Sequence, residues 1–203
     1  FLHRNNDELV AVWGNLAHRV LTFAHKNFEG RVPDPGELDE VDEALWGKVE
    51  AAFEPIGKLL DGCKFKAALG EVVSLAREAN RYLEEKSPWF QIREDPQAAA
   101  TTIYTALRVI DSLKTLFYPF LPFSSQKLHR MLGYEGDIMG RLCIETFQEE
   151  RKSHRALCYE GNRLEGEWVP SRLSPGQLLG EPVPLFRKLD EKIVEEETAR
   201  LGT

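Results

Sequence analysis

Apolar residues recur along most of this chain at the three-and-four spacing of a helix with one buried face. Leu9, Trp13, Leu16, Val20, Phe23 and Ala24 form the first stripe, which predicts a helix over residues 6–28. Asn6 or Asp7 is placed to cap it and Gly30 to end it. A loop over 31–37, marked by Pro33, Pro35 and Gly36, leads to a second stripe. Leu38, Val41, Leu45, Val49, Ala52, Phe53, Ile56 and Leu59 predict a helix over 39–60 that Pro55 kinks or breaks. Past the turn Asp61-Gly62, Phe65, Leu69, Val72, Ala76, Ala79 and Leu83 predict a third helix over 64–85. Ser87 to Glu94 then reads as a loop, and Asp95-Pro96 as a cap followed by a first-turn proline. The fourth helix, over 96–117, carries Ile103, Leu107, Ile110, Leu113 and Phe117. A proline-rich apolar corner over 118–123 reads as buried, and Ser124 as the cap of a short fifth helix that Gly133 ends.

The periodicity fades after Tyr134. Leu142-Cys143-Ile144 and Ala156-Leu157-Cys158-Tyr159 are candidate strands of a small hairpin around the basic run at 151–155. That run reads as a solvated loop, with RNA contact as the alternative. Residues 190–201 form a last amphipathic stretch with Ile193, Val194 and Leu201 apolar. The fold class expected is therefore all-α: a bundle of about five main helices, with a possible β-hairpin insertion and a C-terminal helix. Three segments follow: a bundle over 1–134, an inserted segment over 135–167, and a tail over 168–203.

The polar residues between the stripes offer two places for chemistry. On the first helix, Asn15, Arg19, Thr22 and Lys26 fall on one line opposite the apolar face. Such a line is commonly a solvated face. Asn with Arg one turn away is also suited to base edges, since Asn offers a donor beside an acceptor and Arg a fork of donors. The second place is the end of the third helix, where Glu84, Glu85 and Lys86 form a solvated last turn. Pro88 cannot continue a regular helix, and it biases Ser87 away from helical angles. Trp89 then sits just past the helix end, as a plug for the core or as a stacking platform for a flat ligand. Asn80 falls on the buried face and reads as a tie to a neighbouring backbone.

Composition narrows the function. The chain has 203 residues, 42% hydrophobic and 29% charged, which suits one globular core with an appendage. No apolar run is long enough to span a membrane, and Phe1-Leu2-His3-Arg4 reads as no signal peptide. The absence of an initiator Met makes a piece of a longer chain the expectation. A net charge of −7 argues against a broad phosphate-gripping surface, and no DNA or membrane partner is expected. A small site that reads single-stranded RNA by stacking is compatible with that charge. Cys63, Cys143 and Cys158 are too widely spaced for a zinc site and read as reduced thiols. There is no glycine-rich phosphate loop, no Gly-x-Ser-x-Gly and no histidine pair at metal-ligand spacing. No catalytic residue, metal ligand or cofactor site is expected in this chain.

Two segments resemble one family. Ala79-Asn80-Arg81-Tyr82 running into Pro88-Trp89 is similar to the helix-to-loop segment in the anticodon-binding domain of methionyl-tRNA synthetases. Gly14-Asn15-Leu16-Ala17-His18-Arg19-Val20 is similar to the first helix of that domain. The resemblance extends, with gaps, from about residue 5 to residue 133 and resumes near Trp168. It implies recognition of the CAU anticodon loop of methionine tRNA. Asn15 and Arg19 would read base edges, Trp89 would stack on an unstacked base, and Pro88 would shape the turn. It also implies a cytoplasmic enzyme that joins methionine to tRNA using ATP with Mg. The family's His-Ile-Gly-His and Lys-Met-Ser-Lys-Ser motifs do not occur here. The chain alone is then expected to be inactive, with the absent catalytic domain as its partner. A helical interaction module, or the anticodon-side domain of another class I synthetase, is the alternative.

Overall fold

The predicted stripes become helices at nearly the predicted places. The computed structural model describes residues 2–160 and 166–201. A π-wound stretch, Arg4–Gly14, runs without a break into α1, Asn15–Asn27. Then come α2 (Glu40–Ala51), α3 (Phe53–Asp61), α4 (Phe65–Lys86), α5 (Pro88–Glu94), α6 (Pro96–Phe117) and α7 (Pro122–Met131). An antiparallel hairpin of β1 (Leu142–Gln148) and β2 (Ser153–Tyr159) follows, and α8 (Lys192–Leu201) ends the order. The all-α class and the hairpin stand as expected, though the strands reach further toward the turn and take Ser153, His154 and Arg155 into β2.

α6 is the axis of the bundle. A single stripe is expected to be buried, but from Ala99 to Phe117 every residue except Arg108 is buried. The reason is packing on all sides: α1, α2, α4, α5 and α7 each lie against it. Its polar side chains are therefore inside and need partners. Thr101 Oγ1 accepts the Gly36 N–H at 2.8 Å and donates to the Gln97 carbonyl. Thr102 Oγ1 donates to Gln91 Oε1 at 2.9 Å, which ties α5 to α6. Asp111 accepts from Lys114 at 2.6 Å, Tyr134 at 2.8 Å and Ser171 at 2.6 Å. Through Ser171 the tail is fastened to the centre of the bundle.

The tail continues as a strap. Residues around Gln177 run antiparallel to 30–32, with Val32 N–H to the Gln177 carbonyl at 2.9 Å and Leu179 N–H to the Gly30 carbonyl at 2.8 Å. The strap crosses Gly133 so closely that a Cβ there would lie 1.9 Å from the Leu178 oxygen, and φ is +83°. Only glycine fits that crossing. Trp168 donates to the Phe53 carbonyl at 3.0 Å and meets its ring edge-on.

Several local expectations are corrected. The second helix is broken in two around Pro55 as expected, with the break itself one turn earlier, at Ala52. Pro55 has no N–H for the carbonyl of Ala51, so the ladder fails one turn earlier and the proline sits in the tolerant first turn of α3. Asn6 does not cap α1. Its amide instead pairs with both backbone groups of Leu189 at 2.9 Å. Ser124 is no cap either, since α7 already starts at Pro122 and Ser124 donates to the Leu121 carbonyl. Phe65, expected inward, is 56% exposed, and Phe123 in the supposedly buried corner is 67% exposed. Lys86 is not solvated: it lies between Asp39 at 2.5 Å and Asp42 at 2.9 Å. Asp42, in the first turn of α2, is buried and also accepts from Tyr82 at 2.7 Å. Asn80 does tie helix to helix, donating to the Val12 carbonyl at 3.0 Å. Residues 161–165 of the inserted segment and the side chain of Leu201 lie outside the described residues.

His129 sets a pH limit on this core. It stacks on Tyr134 at 4.7 Å, and its Nδ1 lies 3.1 Å from Lys114 Nζ, where only a neutral imidazole can accept. Burial first, and then the Lys114 ammonium, pull His129 down to about 4 from an ordinary 6.5. Between those values the unfolded chain binds the proton and the folded one does not, so stability falls as pH drops through that window. A thermal-melt series from pH 7 to 4 is expected to show that loss, and His129→Asn to flatten it. Proton NMR of His129 is expected to show a midpoint near 4 rather than 6.5.

Candidate nucleic-acid interface

α4 ends at Ser87, whose φ of 48° and ψ of 59° place it in the left-handed region. Its N–H closes the helix on the Leu83 carbonyl at 3.0 Å, and its hydroxyl donates to the Glu84 carbonyl at 2.6 Å. Pro88 explains both features: it disfavours right-handed angles at Ser87, and it can open the next helix because its missing N–H is not needed there. The expected loop is thus the short helix α5, with Pro88 buried as its first residue. Trp89 follows one residue later and is set against the side of α1.

The two elements enclose an open groove of about 270 Å³. Val20, Phe23, Leu83, Ile103 and the Trp89 ring form its apolar wall, and His18, Arg19, Thr22 and Lys26 its polar side. The Arg19 guanidinium carbon lies 4.9 Å from the Trp89 ring centroid, within cation–π range. Trp89 is half-buried and packed against the core at its base. It is therefore neither a sealed plug nor a free ring. No Asp or Glu lines the groove, while Arg19 and Lys26 bring two cations to it in a chain of net charge −7. The Nδ1 atom of His18 is buried on this side without a hydrogen-bond partner.

Of the four site residues singled out by sequence, the fold brings Arg19, Pro88 and Trp89 together in the groove. Asn15 is exposed on the same helix, one turn before Arg19, and does not line it. Thr22 and Lys26 of the polar line do. His18, Val20, Phe23, Leu83 and Ile103 were missed as groove residues. Arg19, Thr22 and Lys26 were legible as one line on α1, but His18, Val20 and Phe23 beside them, and the contributions of α4 and α6, required the bundle.

The family model for the anticodon-binding domain of methionyl tRNA ligase matches residues 32–143. The chain belongs to the methionyl-tRNA ligase anticodon-binding domain family. Methionine–tRNA ligase of Thermomicrobium roseum is 52% identical over 203 residues, covering 99% of this chain and 35% of that protein. The Chloroflexus aggregans ligase is 51% identical over 202 residues, with 99% and 34% covered. The apo crystal structure of Mycobacterium tuberculosis methionyl-tRNA synthetase superposes with a TM-score of 0.76 at 26% identity, covering 93% of this chain and 34% of that one. The chain spans about a third of the length of these relatives. The matched residues of the family model include Pro88 and Trp89, whereas Asn15 and Arg19 precede them and fall within the span shared with the ligases.

An Arg–Trp contact at a partly exposed site is worth about 0.5–1 kcal/mol. Arg19→Ala in this anticodon-domain chain is accordingly expected to lower stability in denaturant by that amount and to change tryptophan emission. A loss above about 2 kcal/mol would mark Arg19 as a structural prop instead of a mobile cover on the ring.

Proposed function

We propose that the groove between α1 and the α4–α5 joint reads the CAU anticodon of methionine tRNA. The observation that carries this reading is the Arg19 guanidinium lying over a half-exposed Trp89 ring in a groove without carboxylates. A flat base takes the place of the guanidinium on the ring. Stacking on an aromatic is worth about 1–3 kcal/mol, more than the roughly 0.5–1 kcal/mol of the cation–π contact it displaces. Released from the ring, Arg19 offers its donor fork to a base edge or phosphate, and Asn15 extends the polar line one turn beyond the groove. Lys26 lies at the other end of the groove and suits the RNA backbone. Pro88 sets the joint that aims Trp89.

By the same reading the whole protein is an ATP-dependent methionine–tRNA ligase in the cytoplasm, and this chain is inactive alone. The chemistry with methionine, ATP and Mg belongs to the remaining two-thirds of such an enzyme. Residues 1–134 form the anticodon-reading bundle, 135–167 an inserted hairpin segment, and 168–203 a tail that reaches toward the catalytic domain. No described helix is long and apolar enough to cross a membrane.

The test is binding of an anticodon stem-loop with CAU against one with its first anticodon base changed, at fixed salt. CAU is expected to bind more tightly, and Trp89→Ala to weaken that binding about 5- to 150-fold. A melting curve accompanies it: a stability loss of about 3–5 kcal/mol would return Trp89 to the role of a core plug. Equal affinity for both stem-loops would overturn the proposal.

A further inference from the structure

The hairpin carries a feature that anticodon reading does not use. Cys143 on β1 lies directly opposite Cys158 on β2, and both are half-buried with free thiols. The ladder fixes the kind of pairing. Glu160 N–H donates to the Arg141 carbonyl at 2.8 Å, and Glu149 N–H to the Lys152 carbonyl at 3.0 Å. Hydrogen-bonded pairs alternate along an antiparallel ladder, so Cys143 and Cys158 also form such a pair. Residues paired this way have Cα atoms about 5.5 Å apart and side chains on one face. That separation is within the range a disulfide spans, roughly 4.4–6.8 Å.

We propose that Cys143 and Cys158 form a reversible dithiol–disulfide pair that clasps the hairpin, with a small disulfide such as oxidised glutathione as oxidant. One cysteine thiolate attacks a glutathione sulfur, forming a mixed disulfide and expelling one glutathione thiolate. The other cysteine thiolate attacks the protein-side sulfur, forming the Cys143–Cys158 bond and expelling the second. The pair loses two protons and two electrons; the oxidant gains both and leaves as two thiols. A cross-link on a two-stranded ribbon whose residues are mostly exposed is accessible to reductants and so fits switching rather than permanent bracing. Partial burial and the neighbouring Glu145 carboxylate, 3.6 Å from Cys143 Sγ, push the Cys143 thiol up. Less of it is thiolate near neutral pH, so closure quickens as pH rises.

The experiment uses a Cys63→Ser variant, which removes the one other thiol. The folded chain is equilibrated in glutathione redox buffers, quenched with an alkylating agent and digested with trypsin. The expected product is a linked pair of the peptides 142–151 and 156–163, two hydrogens lighter than their sum, whose share falls as reduced glutathione is added. Glu145→Gln is expected to raise the closing rate several-fold near neutral pH. Cys143→Ser and Cys158→Ser, each folded by circular dichroism, are expected to abolish the linked product. Two alkylated or separately glutathionylated cysteines in fully oxidising buffer would overturn the proposal, as would cross-links found only between chains.

Discussion

The structure depends on one constraint: α6 is surrounded. A helix enclosed by five neighbours leaves few polar groups to water, and most of its buried hydroxyls and charges are met by a specific partner, Thr105 Oγ1 being an exception. Those partners define the rest of the fold. Gly36 from the long loop, Gln91 from α5, Tyr134 after α7 and Ser171 from the tail all come inward to satisfy α6. An unsatisfied buried polar group costs about as much as a good contact gives, so these bonds select one arrangement of the connecting segments over others of similar hydrophobic burial.

The groove is a consequence of that arrangement. Thr102 holds Gln91, which fixes α5, and α5 carries Trp89 two residues earlier. Ile103, the next residue of α6, supplies part of the groove wall. The joint at Ser87 and Pro88 sets where α5 begins, and the bond from Thr102 sets where it rests. The tryptophan is thus held at its base while part of its ring stays available, with Arg19 as a cation cover. Local charge departs from the total here: in a chain of net charge −7, no carboxylate lines this groove.

Charged residues near helix ends serve the interior, among them Lys86, which reads as solvated in the sequence. Asp42 and Lys86 join the start of α2 to the end of α4, and burial raises the cost of breaking them. Burial pulls Lys86 down, but its hydrogen bonds to Asp39 and Asp42 outweigh this and hold it above an ordinary lysine. Asp39 is held below an ordinary carboxylate chiefly by its hydrogen bond from Lys86. Such pairs are invisible to periodicity, which sees a charged residue near a helix end and assigns it to water.

Hydrophobic spacing by itself determined the order and approximate ends of the main helices, short apolar runs marked the hairpin, and the polar line on the first helix, the Pro-Trp joint and the family resemblance singled out Asn15, Arg19 and Trp89. These are local properties: a stripe, a cap or a proline acts within a turn or two of itself. Tertiary structure alone decided that α6 is buried all round, that α5 is a helix, that Lys86 and Asp42 turn inward, and that Asn15 stands outside the groove. It also decided that Cys143 faces Cys158. Each of these depends on which distant segment arrives alongside, and that is set by packing and by the hydrogen bonds the interior demands, not by any pattern readable along the chain.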